Sequence, residues 1–274
     1  MNSQSMLFTI YGEYVRHFGG EIWVGSLTRI MGEFGLTEQA VRAAISRILR
    51  QGWIQSRKIG NRSYYSMTEK GKKRLNEAAA RIYKQNPEQW DGKWTMVSYN
   101  IPEKIREKRD QLRKELTWLG FGMLTTSTWI SPHNIGERVK EITQSYEVEG
   151  FVEIFCCEHI GWSGEKQLVE KCWDLQEIQE AYQRFIDKYQ PKYEEFIKKG
   201  PDGITDGECF VEKTYLVHEY RKFLFVDPDI PESLLPKNWN AKEADGLFKR
   251  FYEELNPGAI RFFESIFEAA PEPV

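Results

Sequence analysis

Arginine and glutamine side chains can each make paired hydrogen bonds to base edges in a DNA major groove. The stretch LTEQAVRAAISRILRQGW, residues 36–53, carries both at helical spacing. Val41, Ile45, Ile48 and Leu49 share one face, at 0, +4, +7 and +8. The opposite face presents Gln39, Ala43, Ser46, Arg47 and Arg50, with Arg42 at its flank. Ala43 sits at the centre of that face, where a small side chain lets a helix backbone approach a base pair. Ser46 can bond to a base or a phosphate. After Glu38 in its first turn this helix holds no carboxylate, whereas a solvated helix ordinarily mixes signs. A polar face turned only to water uses the same residue types, so the helix alone leaves both readings open.

The following segment favours the first. WIQSRKIGNRSYYSMTEKG reads as strand, turn, strand, with Trp53–Lys58 and Ser63–Met67 flanking IGNR, where Gly60 and Asn61 tolerate positive φ. The tip carries Arg57, Lys58 and Arg62. A basic hairpin after a recognition-type helix is the winged-helix order, and such a wing can follow a phosphate backbone or enter a minor groove. Lys58 and Arg62 are its expected phosphate contacts.

Those residues need a scaffold, and the preceding chain supplies one. Residues 3–18 read as a helix ending at FGG, and residues 25–34 as a second, short helix. GLTEQ then provides a glycine turn and an N-cap at Thr37, with Glu38 favourable at the positive helix end. The third helix runs over about 38–51 and stops at Gly52. Two helices joined by a tight glycine-containing turn match the helix-turn-helix pattern. Residues 69–85 read as a linker helix, and NPEQWDG breaks the chain.

Farther on, a strand at 93–100, a helix at 102–119, strands in GFGMLTTSTWIS, a helix at 136–146 and a strand at 150–158 give the order of a ferredoxin-like domain. Residues 174–199 read as a long helical stretch, interrupted or kinked at Pro191. Its Leu175, Ile178, Tyr182, Phe185 and Tyr189 follow 3-4 spacing, which serves packing within the chain more readily than a dimer seam, because it spans barely two heptads. Helices at 207–226, 241–255 and 258–269 complete the reading. The expected architecture is α+β: a winged helix-turn-helix head with its linker helix over 1–86, a ferredoxin-like middle domain over 87–165, and a helical C-terminal domain over 166–274.

Net charge is −3 over 274 residues, but unevenly spread. Residues 1–85 hold 14 Lys/Arg against 6 Asp/Glu, a formal +8, and the remainder holds 24 against 35, a formal −11. A basic head on an acidic body points to a polyanionic partner for the head. No apolar run of about 18 residues exists, so no transmembrane helix is expected. The opening MNSQSMLFTIYGEY has no basic stretch followed by a long apolar one, so no secretory signal is read and the cytoplasm is the expected compartment. The four cysteines lack C-x-x-C spacing. FVEIFCCEHI places His159 near Cys157, but it reads as a buried strand rather than a metal site, and no metal is expected.

The stretches GGEIWVGSLTRIMGEFGLTEQAVRAAISRILRQGWIQSRKIGNRSYYSMTEKG, LTWLGFGML and LVHEYRKFLFVDPDIPESLLPKNW resemble the PaaX family of transcriptional repressors along nearly the whole chain. That resemblance implies a repressor of aromatic-acid catabolism genes, chiefly those for phenylacetate. It also implies release from the operator by phenylacetyl-coenzyme A or a related aryl-coenzyme A, with no cofactor. Such an effector needs cations for its phosphates and an aromatic-lined pocket for its aryl group. Arg221 and Lys222 are candidates for the first and Tyr220 and Trp239 for the second, in a site expected between the middle and C-terminal domains. The stretch VSYNIPEKIREKRDQLRKELTWLGFG is similar to the small ferredoxin-fold subunit of the CRISPR adaptation machinery. There, an Asp ending the first strand is tied to metal-dependent nucleic-acid cleavage. The matching position here is Asn100, whose amide offers one neutral oxygen and no charge for Mg²⁺.

Three function classes compete. The leading one is a ligand-responsive repressor that is not an enzyme. It is expected to be a homodimer, since a two-fold operator needs two recognition helices and one chain has one. The second is an enzyme acting on acyl-coenzyme A thioesters, for which His218 is the best-placed base, although no G-x-S-x-G elbow is present. The third is a metal-dependent nuclease on the middle domain, against which Asn100 argues.

Overall fold

A computed structural model describes residues 2–83, 89–200 and 203–271. The end of the expected linker helix beyond residue 83 and the expected 86/87 boundary lie outside the described residues. The chain folds as two compact units. The first joins residues 1–83 with 185–221 and 243–274, and the second joins 84–184 with 222–242.

The first unit opens with α1 (Ser3–Glu13), where the Asn2 carboxamide oxygen accepts hydrogen bonds from the Gln4 and Ser5 amides at 3.0 and 3.4 Å. A 3-10 turn over Val15–His17 ends the segment that the sequence presents as one helix to residue 18. Then come β1 (Glu21–Trp23), α2 (Val24–Gly32) and α3 (Glu38–Arg50). The Thr37 hydroxyl caps α3 by accepting from the Ala40 amide at 3.3 Å. Strands β2 (Ile54–Ile59) and β3 (Arg62–Met67) form the hairpin, closed at Ile59 and Arg62. Only Gly60 in its turn uses positive φ (56°), the pattern of a II′ turn. The three-stranded sheet has the order β1-β3-β2, and α4 (Glu69–Ile82) follows. Helix, strand, helix, helix, hairpin is the order of a winged helix-turn-helix.

This head does not close its own core. Tyr14, Ile22, Leu27, Ile30, Val41, Ile45 and Ile48 are buried together with Phe210, Ala259 and Phe263. Phe210 belongs to α9 (Asp206–Tyr220), and Ala259 and Phe263 to α10 (Ala241–Ile266). On α3 the buried positions are Val41, Ala44, Ile45 and Ile48, while Leu49, assigned from spacing to the apolar face, is 37% exposed.

A line of buried polar contacts runs between α1 and α9. Lys213 Nζ lies 2.7 Å from a Glu13 carboxylate oxygen and donates to the Asn256 side-chain oxygen at 2.7 Å. Tyr252 donates to the same carboxylate at 2.6 Å, and the Tyr83 hydroxyl donates to its second oxygen. The ammonium also faces the rings of Tyr14 and Tyr252, 4.8 and 4.5 Å from their centroids. Lys213 and Glu13 are 0% and 4% exposed. Tyr14 and Thr214 share a hydrogen bond of 2.9 Å, as do Thr9 and His218 Nδ1.

The second unit contains β4 (Trp94–Tyr99), a 3-10 turn (Glu103–Ile105), α5 (Arg106–Trp118), β5 (Gly122–Thr125), β6 (Thr128–Ser131), α6 (Gly136–Ser145) and β7 (Val152–Cys157). Its sheet order, β5-β6-β4-β7 with antiparallel neighbours, is ferredoxin-like. Val97, Leu112, Leu116, Trp129, Val139 and Ile142 fill the space between sheet and helices. The opposite face takes Trp94 and Ile130 against Leu168 and Val169 of α7 (Glu165–Cys172) and against Ile230, Leu234 and Leu235. The apolar run of β7 reads as a buried strand, but β7 lies at the sheet edge and Cys156 is exposed. Among the described residues no helix is long and apolar enough to cross a membrane.

Two expected breaks are absent. α8 (Leu175–Lys199) runs unbroken through Pro191, and α10 runs unbroken through Pro257 instead of splitting at 255–258. The α8 stripe is used inside the chain: Ile178 and Tyr182 are buried in the second unit, and Phe185 and Tyr189 in the first. The expected helix over 207–226 becomes a 3-10 turn at Arg221–Phe225.

Removing one ion of a buried pair strands the other in low dielectric, which costs about 3–5 kcal/mol. Glu13→Gln or Lys213→Met alone should therefore lower unfolding free energy by about that much in urea titrations, and the double replacement Glu13→Leu/Lys213→Met should recover most of it. A loss in the double variant as large as the sum of the two single losses would contradict the pairing.

Candidate nucleic-acid interface

The exposed face of α3 carries Gln39, Arg42, Ala43, Ser46, Arg47 and Arg50, all open to solvent. The helix is held from behind by its buried positions, so these side chains project from a fixed backbone. The hairpin that follows it presents Lys58 and Arg62, also exposed. All eight residues chosen from the sequence belong to one unit and to two consecutive pieces of structure.

They are not electrostatically equivalent. The side chains of Gln39, Arg47 and Lys58 make no hydrogen bond or ion pair with the described residues. Arg50 reaches back to the Ser46 carbonyl at 3.4 Å. Arg42 pairs with Glu38 at 2.6 Å, one turn earlier on α3. Arg57, also at the hairpin, pairs with Glu21 of β1 at 2.5 Å. Arg62 pairs with Glu268, beyond the end of α10, and lies over the Trp23 ring at 4.3 Å from its centroid. Hydrogen bonds to their carboxylates raise Arg57 and Arg62 above the ordinary guanidinium range. Spacing reveals the cations and the Arg42–Glu38 pair but not the partners of Arg57 and Arg62, which lie 36 and 206 residues away and are joined only by the fold. Lys70, over the Trp53 ring at 4.2 Å, is a further cation beside the hairpin that sequence reading does not single out.

The four effector candidates are divided between the units. In the first, Tyr220 stacks on Phe248 with centroids 4.0 Å apart, and its hydroxyl approaches Asp245 at 3.4 Å. Arg221 donates to the Ser5 carbonyl and Thr9 hydroxyl at 2.9 Å each and to the Ser5 hydroxyl at 3.3 Å. Burial pulls its pKa down to about 10. These bonds commit the guanidinium to anchoring α1, a structural task that sequence reading does not foresee. In the second unit, Lys222 is exposed, and Trp239 is half-buried with its edge toward Tyr182, which stacks on Phe223 at 4.1 Å.

The residues named for alternative chemistry are also placed. His218 is 6% exposed, and its Nδ1 faces the Thr9 hydroxyl inside the α1–α9 contact. Asn100 is exposed directly after β4, its backbone amide donating to the Phe151 carbonyl at 2.9 Å. Among the described residues, no group of three His, Cys, Asp or Glu side chains is placed to hold a metal.

Comparison with known proteins covers nearly the whole chain. Residues 2–71 match the family model for a PaaX-like protein, residues 87–169 the model for the PaaX protein central Cas2-like domain, and residues 173–265 the model for the PaaX-like protein C-terminal domain. The transcriptional repressor PaaX of Escherichia coli strain K12 is 31% identical over 268 residues, covering 96% of this chain and 83% of that protein. Among solved structures, the uncharacterized protein Rv0674 from Mycobacterium tuberculosis shares the fold at a TM-score of 0.53 and 18% identity, covering 87% of this chain and 90% of that one.

Two measurements check the interface. Arg47→Ala should cost about 1–3 kcal/mol of affinity for a cognate duplex and relax preference at one base pair. Lys58→Ala should weaken all duplexes alike and lower the log-log salt slope by roughly 1. Unchanged affinity in the first variant, or an unchanged slope in the second, would remove that residue from the interface.

Proposed function

The chain belongs to the PaaX family of transcriptional repressors, and from that premise we propose that it represses genes of phenylacetic acid catabolism by binding double-stranded operator DNA. The observation that carries this reading is the α3 face, where Arg47 and Arg50 flank a small exposed Ala43 on a helix fixed by buried Val41, Ala44, Ile45 and Ile48. In this reading α3 enters the major groove, Gln39, Arg42, Ser46 and Arg47 contact bases or adjacent phosphates, and Lys58 and Arg62 take phosphates. The basic head supplies the long-range attraction and the acidic body keeps the rest of the chain away from DNA. Two chains act together, because a two-fold operator presents two half-sites. The protein works in the cytoplasm and needs no metal or cofactor.

Phenylacetyl-coenzyme A or a related aryl-coenzyme A is the proposed effector. Lys222 and Trp239 remain its proposed contacts, the exposed ammonium for a phosphate and the half-buried indole for the aryl group. The ligand can release DNA only by binding one arrangement of the repressor better than the other, so operator DNA must weaken effector binding by the same factor.

A gel-shift titration with the DNA upstream of this chain's own gene, with and without phenylacetyl-coenzyme A, tests the reading. The expected result is a shifted duplex that the thioester releases while remaining intact. Thioester turnover would favour the enzyme reading, and duplex binding that no aryl-coenzyme A disturbs would overturn the effector.

A further inference from the structure

Three arginines of the interface carry a carboxylate partner. Two of the partners lie within the head, Glu38 for Arg42 and Glu21 for Arg57. The third does not. Glu268 follows α10, and its position is built by separate contacts. The Ser26 hydroxyl, fully buried in the first turn of α2, donates to the Ile266 carbonyl at 2.8 Å and accepts from the Glu268 amide at 3.1 Å. The neighbouring Phe267 ring packs on Phe263 and Phe18, with centroids 5.2 and 5.6 Å apart. The carboxylate is thus delivered to the wing by a fixed backbone. Arg62 meets it with its guanidinium laid over Trp23.

We propose that Glu268 is a positioning residue of the nucleic-acid interface: it holds Arg62 over Trp23 and stands in the place of a phosphate until DNA displaces it. Carboxylate and phosphate present similar oxygen pairs to the guanidinium fork. Arginine keeps its charge throughout, so the step is an exchange of one anion for another with no proton moved. When Arg62 takes a phosphate, the DNA releases a condensed cation, but the pair with Glu268 must open first, and salt weakens that pair too. Arg62 therefore adds less to the salt dependence while Glu268 is present. The pair weakens binding to arbitrary sequence and makes the wing respond to the end of α10.

The inference rests on the reading of the head as a DNA-binding surface, and one set of titrations separates the two. The full chain, Glu268→Gln, Arg62→Ala and the double variant are titrated with random-sequence duplex DNA over a range of salt. Glu268→Gln is expected to tighten binding about two- to fivefold, the scale of an exposed ion pair, and to steepen the log-log salt slope by up to about 1. In the Arg62→Ala background the same replacement should change neither quantity by as much. A merely repelling charge would give equal gains in both backgrounds, which overturns the proposal, as does weaker or unchanged binding by Glu268→Gln. Duplex binding by none of the proteins sinks the interface reading, and the proposal with it.

Discussion

The pair sealed between α1 and α9 governs the first unit. An ammonium and a carboxylate removed from water are tolerated only when they meet each other and when their remaining hydrogen-bonding capacity is filled. Here Tyr83, Tyr252 and Asn256 complete the set around Glu13 and Lys213. Besides α1 and α9, that requirement draws on α10 and on the residue that ends α4. An apolar contact could slide by a fraction of a turn. This network has one register, and the bonds Tyr14–Thr214, Thr9–His218 and Arg221–Ser5 extend it along α1. The scaffold behind α3 is therefore indexed by polar contacts as well as filled by apolar ones.

Much of this is legible in the residues. Thr37 and Glu38 mark the start of α3, Gly52 its end, and the alternation around Gly60 and Asn61 marks the hairpin, because capping and turn chemistry are local. The ferredoxin-like order follows from the spacing of strands and helices. The misreadings come where tertiary packing overrides a local signal. Pro257 and Gly258 look like a turn, yet both lie inside α10. A Cβ on Gly258 would come within 2.9 Å of the Cys209 side chain, so the glycine serves the close approach of α10 to α9 rather than a bend. Leu49, read as part of the apolar face, is 37% exposed while Ala44 is 4% exposed, because the α3 stripe is set by what the neighbouring helices cover.

The interface is half visible in the sequence. Positive charge can be counted, and its helical spacing can be drawn on a wheel. Whether a cation is engaged or available depends on partners that arrive through the fold. Arg221 shows this from one side: expected as a cation for a ligand, it is bound to Ser5 and Thr9. Arg47 and Lys58 show it from the other, since nothing among the described residues competes for them. The strength of a basic surface is the charge left after internal pairing.

The shared core of the first unit also bears on how the protein is made. Phe210, Ala259 and Phe263 complete the packing around Tyr14, Ile30 and Ile48. A ribosome delivers the head before these three side chains, although chains generally fold from the N-terminus as they emerge. A nascent or prematurely released chain thus carries α3 without the residues that complete the core behind it. The core behind α3 is complete only once α9 and α10 have been made.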